Sequence, residues 1–173
     1  MHRTTFTAIA AAFALAALPT AAAARDMTFT QHGVKTHYEM VDLGAPGPSA
    51  GDVHVGTFDL ARTRGGTVVG TQEWMGTTIK ANMPGGVEYR SADTTFTWRD
   101  GSVSATGLFE SESGVLPKGH RTTTLVVVGG TGRYFGARGA VTIKVVNANE
   151  RTFRFSLIDV KGTKDAQPVP LDM

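Results

Sequence analysis

Two runs rich in β-branched residues, Thr122–Val128 and Ala140–Val146, flank the segment Gly129-Gly130-Thr131-Gly132-Arg133-Tyr134-Phe135-Gly136-Ala137-Arg138-Gly139. This arrangement constrains the fold more than any other stretch of the chain. A strand followed by glycines also opens a dinucleotide-binding turn. That turn needs a helix directly after it, because the pyrophosphate rests on bare amides at a helix N-terminus. It also needs an acidic residue about 20 positions further on. Here three residues separate Gly132 from Gly136, and the run after Gly139 is poor in helix formers. Only Ala140 to Met173 remains, too little for the rest of a nucleotide domain. The glycines therefore read as a turn joining two strands, supplying positive φ.

Period-two alternation runs through most of the chain. Phe153, Phe155 and Leu157 alternate with Thr152, Arg154 and Ser156, and Val103, Ala105, Gly107 and Phe109 alternate with Ser102, Ser104 and Thr106. Each pattern is that of a strand with one buried face. Turn signals separate the runs at Arg64-Gly65-Gly66, Pro84-Gly85-Gly86, Asp100-Gly101 and Asn147-Ala148-Asn149. Eight strands are expected: Lys35–Val41, Asp52–Ala61, Thr67–Lys80, Val87–Trp98, Ser102–Glu110, Thr122–Val128, Arg138–Val146 and Arg151–Val160. Met27–Gln31 extends the first strand or lies across an edge. Gly44–Gly51 and Ser111–Gly119 read as loops, and the tail after Lys161 as a frayed end. No sustained helical stripe appears, so the fold class is all-β. Eight successive antiparallel strands favour closure into a barrel, which removes exposed edges and encloses packed side chains or one small ligand.

Residues 1–24 read as a cleaved signal peptide: His2 and Arg3, an apolar run from Ala8 to Leu18, Pro19, then Ala22-Ala23-Ala24. The run is too short for a membrane anchor, which places the protein in the periplasm or outside the cell. The remainder, 25–173, is long enough for a single domain with one core. With no cysteine, disulfides, thiolate metal sites and cysteine nucleophiles are excluded. The net charge of +2 is scattered, with no basic and aromatic array for nucleic acid.

Several segments, in order, resemble the dirigent and allene oxide cyclase barrel superfamily. They are Gly51-Asp52-Val53-His54-Val55, Phe58-Asp59-Leu60 with Val68-Val69-Gly70-Thr71-Gln72, Asp100-Gly101-Ser102-Val103-Ser104-Ala105-Thr106-Gly107, and the Gly129–Gly139 segment, which matches best. The resemblance covers Gly51 to Phe155. It implies a small eight-stranded antiparallel, calycin-like β-barrel with a ligand cavity, assembly as a homodimer or homotrimer, and no cofactor. It also implies a function: a hydrophobic mould that holds a reactive small molecule in one conformation for cyclisation or isomerisation. A non-catalytic carrier of an apolar metabolite, and a structural barrel without a cavity, are the alternatives, because fold alone does not fix chemistry.

By the same resemblance, Arg138 occupies the place of a cavity-lining arginine. Inside a barrel it would bind an anionic or carbonyl group; otherwise a carboxylate such as Asp52 or Asp59 saturates it. Arg133 stands where many dirigents carry aspartate, which separates this chain from the plant mechanism. Glu39 or His37 offers the proton shuttle expected on the first strand, against the reading of Glu39 as an exposed strand carboxylate. Asp52 and Tyr89 are further candidates for proton handling and orientation. Trp74, Tyr89 and Phe109 are candidate substrate contacts, or simple core aromatics. The histidines lack close ligand spacing: His32 and His37, five apart, would face opposite sides of a regular strand, so no metal site is expected. No Gly-x-Ser-x-Gly elbow supports a hydrolase.

Overall fold

In a computed structural model, residues 23–84, 86–112 and 122–162 are described. The expected leader up to residue 22, most of the expected Ser111–Gly119 loop and the tail beyond Gly162 lie outside these residues. Eight strands follow one another: β1 (Arg25–Val41), β2 (Val53–Ala61), β3 (Val68–Met83), β4 (Val87–Trp98), β5 (Gly101–Glu112), β6 (Thr122–Gly130), β7 (Arg138–Val145) and β8 (Glu150–Val160). Each pairs antiparallel with the next, and β1 closes the barrel against β8. The fold is the expected all-β barrel.

The first strand is longer than expected, 17 residues from Arg25. Its first half pairs with β8 from Arg25 to Val34, and its second half pairs with β2 from His32 to Val41. A bulge between Lys35 and His37 adds one residue there and reverses the phase of the pleat. Before it the odd positions Gln31 and Gly33 are buried; after it the even positions Tyr38 and Met40 turn inward. His32 and His37 therefore both lie on the outer face, contrary to the opposite faces that an unbroken strand would give.

Large aromatic side chains fill one end of the barrel. Phe96, Trp98 and Phe155 are buried there, with Phe29 stacked on Phe155 at a centroid distance of 4.6 Å. The glycine-rich segment closes that end. After β6 it makes a single 3-10 turn, Gly132–Tyr134, that inserts Tyr134 against Trp98 at 4.9 Å. The Arg133 amide donates to the Asp100 carbonyl at 2.8 Å, and its guanidinium bonds the Asp100 carboxylate at 3.1 Å. Gly132 has φ +54, and a Cβ there would lie 2.4 Å from the Asp100 carbonyl oxygen. Only glycine meets both conditions. The turn that resembles a nucleotide loop is thus a plug.

At the other end several inward positions are small. Gly56, Gly76, Ala92, Ala105 and Gly107 stand where the plugged end carries phenylalanine and tryptophan.

Candidate functional site

Inside this end is a cavity of about 590 Å³, open where β1, β3, β5 and β7 finish. It falls in the size range of small-molecule sites, roughly 300–1,000 Å³. Phe58, Phe109, Leu125, Ile143 and Phe153 give it an apolar interior.

One wall is aromatic. Tyr38, Gly56 and Trp74 are direct cross-strand neighbours on β1, β2 and β3. A Cβ on Gly56 would come within 2.4 Å of the Trp74 Nε1, so the missing side chain is what allows the indole to lie over β2. Tyr38 stacks on Trp74 at 6.3 Å and on His54 at 6.1 Å, with interplanar angles of 27° and 26°.

Polar groups gather near the mouth. The Tyr38 hydroxyl is 2.9 Å from His54 Nδ1, and His54 Nε2 is 3.1 Å from Thr78 Oγ1. Burial, then the nearby Arg90 charge, pushes the His54 imidazole below its ordinary value, which keeps it neutral. Burial raises the Tyr38 phenol, so it keeps its proton. A neutral histidine allows the Tyr38–His54–Thr78 chain to run in either direction. In one direction Tyr38 donates to Nδ1; in the other it accepts from Nδ1–H and its own proton is free for a ligand.

Arg90, also on the wall, is held by Glu88 two residues earlier on the same face of β4. Its Nε donates to Glu88 Oε2 at 3.1 Å and its Nη2 to the same oxygen at 2.5 Å. Both side chains are almost wholly buried. Deeper in the cavity, Gln72 Nε2 donates to Thr94 Oγ1 at 2.7 Å, and none of the described residues donates to the buried Gln72 Oε1. Across from β4, Lys35 and Arg151 converge on the turn between β7 and β8. Lys35 Nζ donates to the Ala148 carbonyl at 3.2 Å; Arg151 Nη1 donates to the Asn147 and Glu150 carbonyls at 2.6 and 3.0 Å.

Of the residues expected from sequence, Trp74 and Phe109 line the cavity. Arg138 does not: it is exposed at the start of β7, beside the plugged end, and pairs with Ile158. Tyr89 is on the outer face of β4, because its neighbours Glu88 and Arg90 are the inward ones. Glu39 is on the outer face of β1, 63% exposed and 3.9 Å from His37. Asp52 is buried near the open end but turns away from the cavity. Its carboxylate accepts from the Ser49 amide at 2.7 Å, the Ser49 hydroxyl at 3.1 Å and the Leu43 amide at 3.2 Å. The Ser49 amide bond, above all, holds its pKa below the usual carboxylate value. Asp52 thus staples the β1–β2 loop. Tyr38, His54, Arg90, Lys35, Gln72 and Arg151 are the polar groups that sequence reasoning missed.

Residues 32–157 match the family described as the allene oxide cyclase barrel-like domain. No curated protein resembles the sequence closely enough to count as a match. Among solved structures, a pyocyanin demethylase is similar at 21% identity and a TM-score of 0.60, over 75% of this chain and 99% of that one. The pterocarpan synthase dirigent protein GePTS1 is similar at 17% identity and a TM-score of 0.56, over 87% and 98%. The Diels–Alderase AbmU from Streptomyces koyangensis is similar at 15% identity and a TM-score of 0.60, over 80% and 70%. At these identities the likeness is one of fold.

Proposed function

This chain belongs to the allene oxide cyclase barrel-like family, and on that premise we propose that it guides the cyclisation or isomerisation of a hydrophobic, oxygen-bearing small molecule. The observation that carries this reading is the open apolar cavity with a neutral phenol–imidazole–hydroxyl chain set into one aromatic wall. The apolar walls hold a flexible substrate in one folded conformation, which removes much of the entropic part of the barrier. Tyr38, kept protonated, donates to a substrate oxygen as charge develops on it, and His54 and Thr78 orient or replenish that proton. Arg90 lies beside them, its charge paired with Glu88. That a solved barrel of this fold is a Diels–Alderase and another a dirigent protein supports the reaction class.

A carrier is the second reading, favoured by one fact: among the described residues that line the cavity there is no carboxylate. Incubating the purified protein with an extract of its source organism separates the two. A cyclised or isomerised product absent from the control establishes the enzyme; an unchanged apolar molecule retained by the protein establishes the carrier. With a substrate in hand, Tyr38→Phe should lower kcat by about 10²-fold while the barrel stays folded, as loss of one proton donor does. Equal turnover would remove Tyr38 from the chemistry.

Export belongs to the same proposal. Cleavage after Ala24 leaves β1 whole, since that strand begins at Arg25; N-terminal sequencing of the protein from its native compartment checks it. So does assembly as a homodimer or homotrimer, supported by Leu108, Val126 and Val128, which are more than half exposed on neighbouring strands. Light scattering at several concentrations reads the mass directly.

A further inference from the structure

The two cationic corners of the cavity differ. At one, Arg90 is neutralised by Glu88, with two of its nitrogens on one carboxylate oxygen. At the other, Lys35 and Arg151 bond only backbone carbonyls, and no carboxylate among the described residues pairs with either. The nearest acid in sequence, Glu150, is taken by Arg64 at 2.7 Å and by Asn147 Nδ2 at 3.1 Å. Arg151 is 8% exposed and lines the cavity, yet only its Nη1 is engaged with the described residues. A buried guanidinium without a counter-charge is costly unless something supplies one.

We infer that Lys35 and Arg151 form an anion subsite, and that the ligand is a flat apolar molecule carrying an acidic group such as a carboxylate or sulfonate. This rests on the reading of the cavity as a ligand site and names the ligand's chemical class. The acid sits between Lys35 Nζ and the Arg151 N–H groups that bond none of the described residues. Its flat body extends along the Tyr38–Trp74 wall, which stacks on planar groups. No carboxylate among the described residues quenches the pair: burial and then Arg151 push Lys35 below its ordinary pKa, and burial lowers Arg151 to about 10. An incoming anion relieves both.

Two fluorescent probes of nearly the same shape test this, 8-anilino-1-naphthalenesulfonate and the uncharged N-phenyl-1-naphthylamine. Lys35→Met and Arg151→Gln should each weaken the sulfonate about tenfold, as loss of a charged hydrogen-bond partner does. Each should leave the uncharged probe within about twofold, the spread of a packing change alone. Arg151→Lys should recover most of the sulfonate affinity. Parallel shifts of both probes, or an unchanged sulfonate, would overturn the anion subsite while the uncharged probe still reports a working cavity. Failure of the wild type to bind either probe would overturn the cavity reading and the subsite with it. Should Arg151→Gln not fold, Lys35→Met decides alone, because its side chain is partly exposed and its loss spares the core.

Discussion

Tyr89 and Arg90 are neighbours on one strand, and which of them faces inward decides the chemistry of the barrel. Polar residues occupy both phases of the first half of β4, so local alternation does not choose. The end of the strand does: counting back by twos from Trp98 and Phe96 puts Thr94, Ala92, Arg90 and Glu88 inside. That count was legible in the sequence, although it demands a buried arginine and glutamate, which composition alone argues against. The pair resolves the objection by bonding to itself. Glu88→Ala should therefore lower stability by about 3–5 kcal/mol, the cost of an uncompensated buried charge. Pairing it with Arg90→Met should recover much of that loss in chemical denaturation. His54 gives a second residue-level expectation. Its folded pKa is depressed, so below the ordinary 6.5 the unfolded chain binds protons that the folded chain refuses. Stability should be full above pH 6.5 and fall as the pH drops through that value towards the folded pKa. Thermal melts between pH 8 and pH 5 check the sign, and His54→Gln should flatten that part of the profile.

At the scale of elements, β1 shows where sequence reading fails. The alternation of Met27 and Phe29 with Thr28 and Thr30 marks a strand, but Gln31 and Gly33 then occupy inward positions and blur it. The bulge at Thr36 leaves no residue signature of its own, and every inward position beyond it shifts by one. The inward position of Tyr38 was hidden for that reason. Trp74 was legible because it needed only to be large and apolar, whereas its partner Gly56 shows its purpose only once β1, β2 and β3 are aligned. Gly56→Ala should push the indole off β2 and into the cavity, an overpacking that costs about 1–3 kcal/mol. The affinity for N-phenyl-1-naphthylamine should fall with it. An unchanged tryptophan fluorescence spectrum together with unchanged binding would show that Trp74 does not depend on that gap.

On the scale of the whole molecule, the barrel divides its work between its ends. Large aromatics and the Gly132–Tyr134 turn hold one end, while the other carries the open cavity. The eight strands and their closure were readable because period-two patterning and turn residues are local. The position of the cavity was not, because it depends on which inward residues become level with one another around a closed sheet. The division predicts that stability and binding can be moved separately. Gly132→Ala forces a side chain into the left-handed region and against the Asp100 carbonyl, a strain of at least about 1–3 kcal/mol. It should lower the melting temperature yet leave probe affinity unchanged in the molecules that remain folded, since the plug is at the opposite end from the mouth. If Gly132→Ala weakened binding in step with stability, the two ends would be one cooperative structure. The open end would then owe its shape to the plug as well as to its own inward residues.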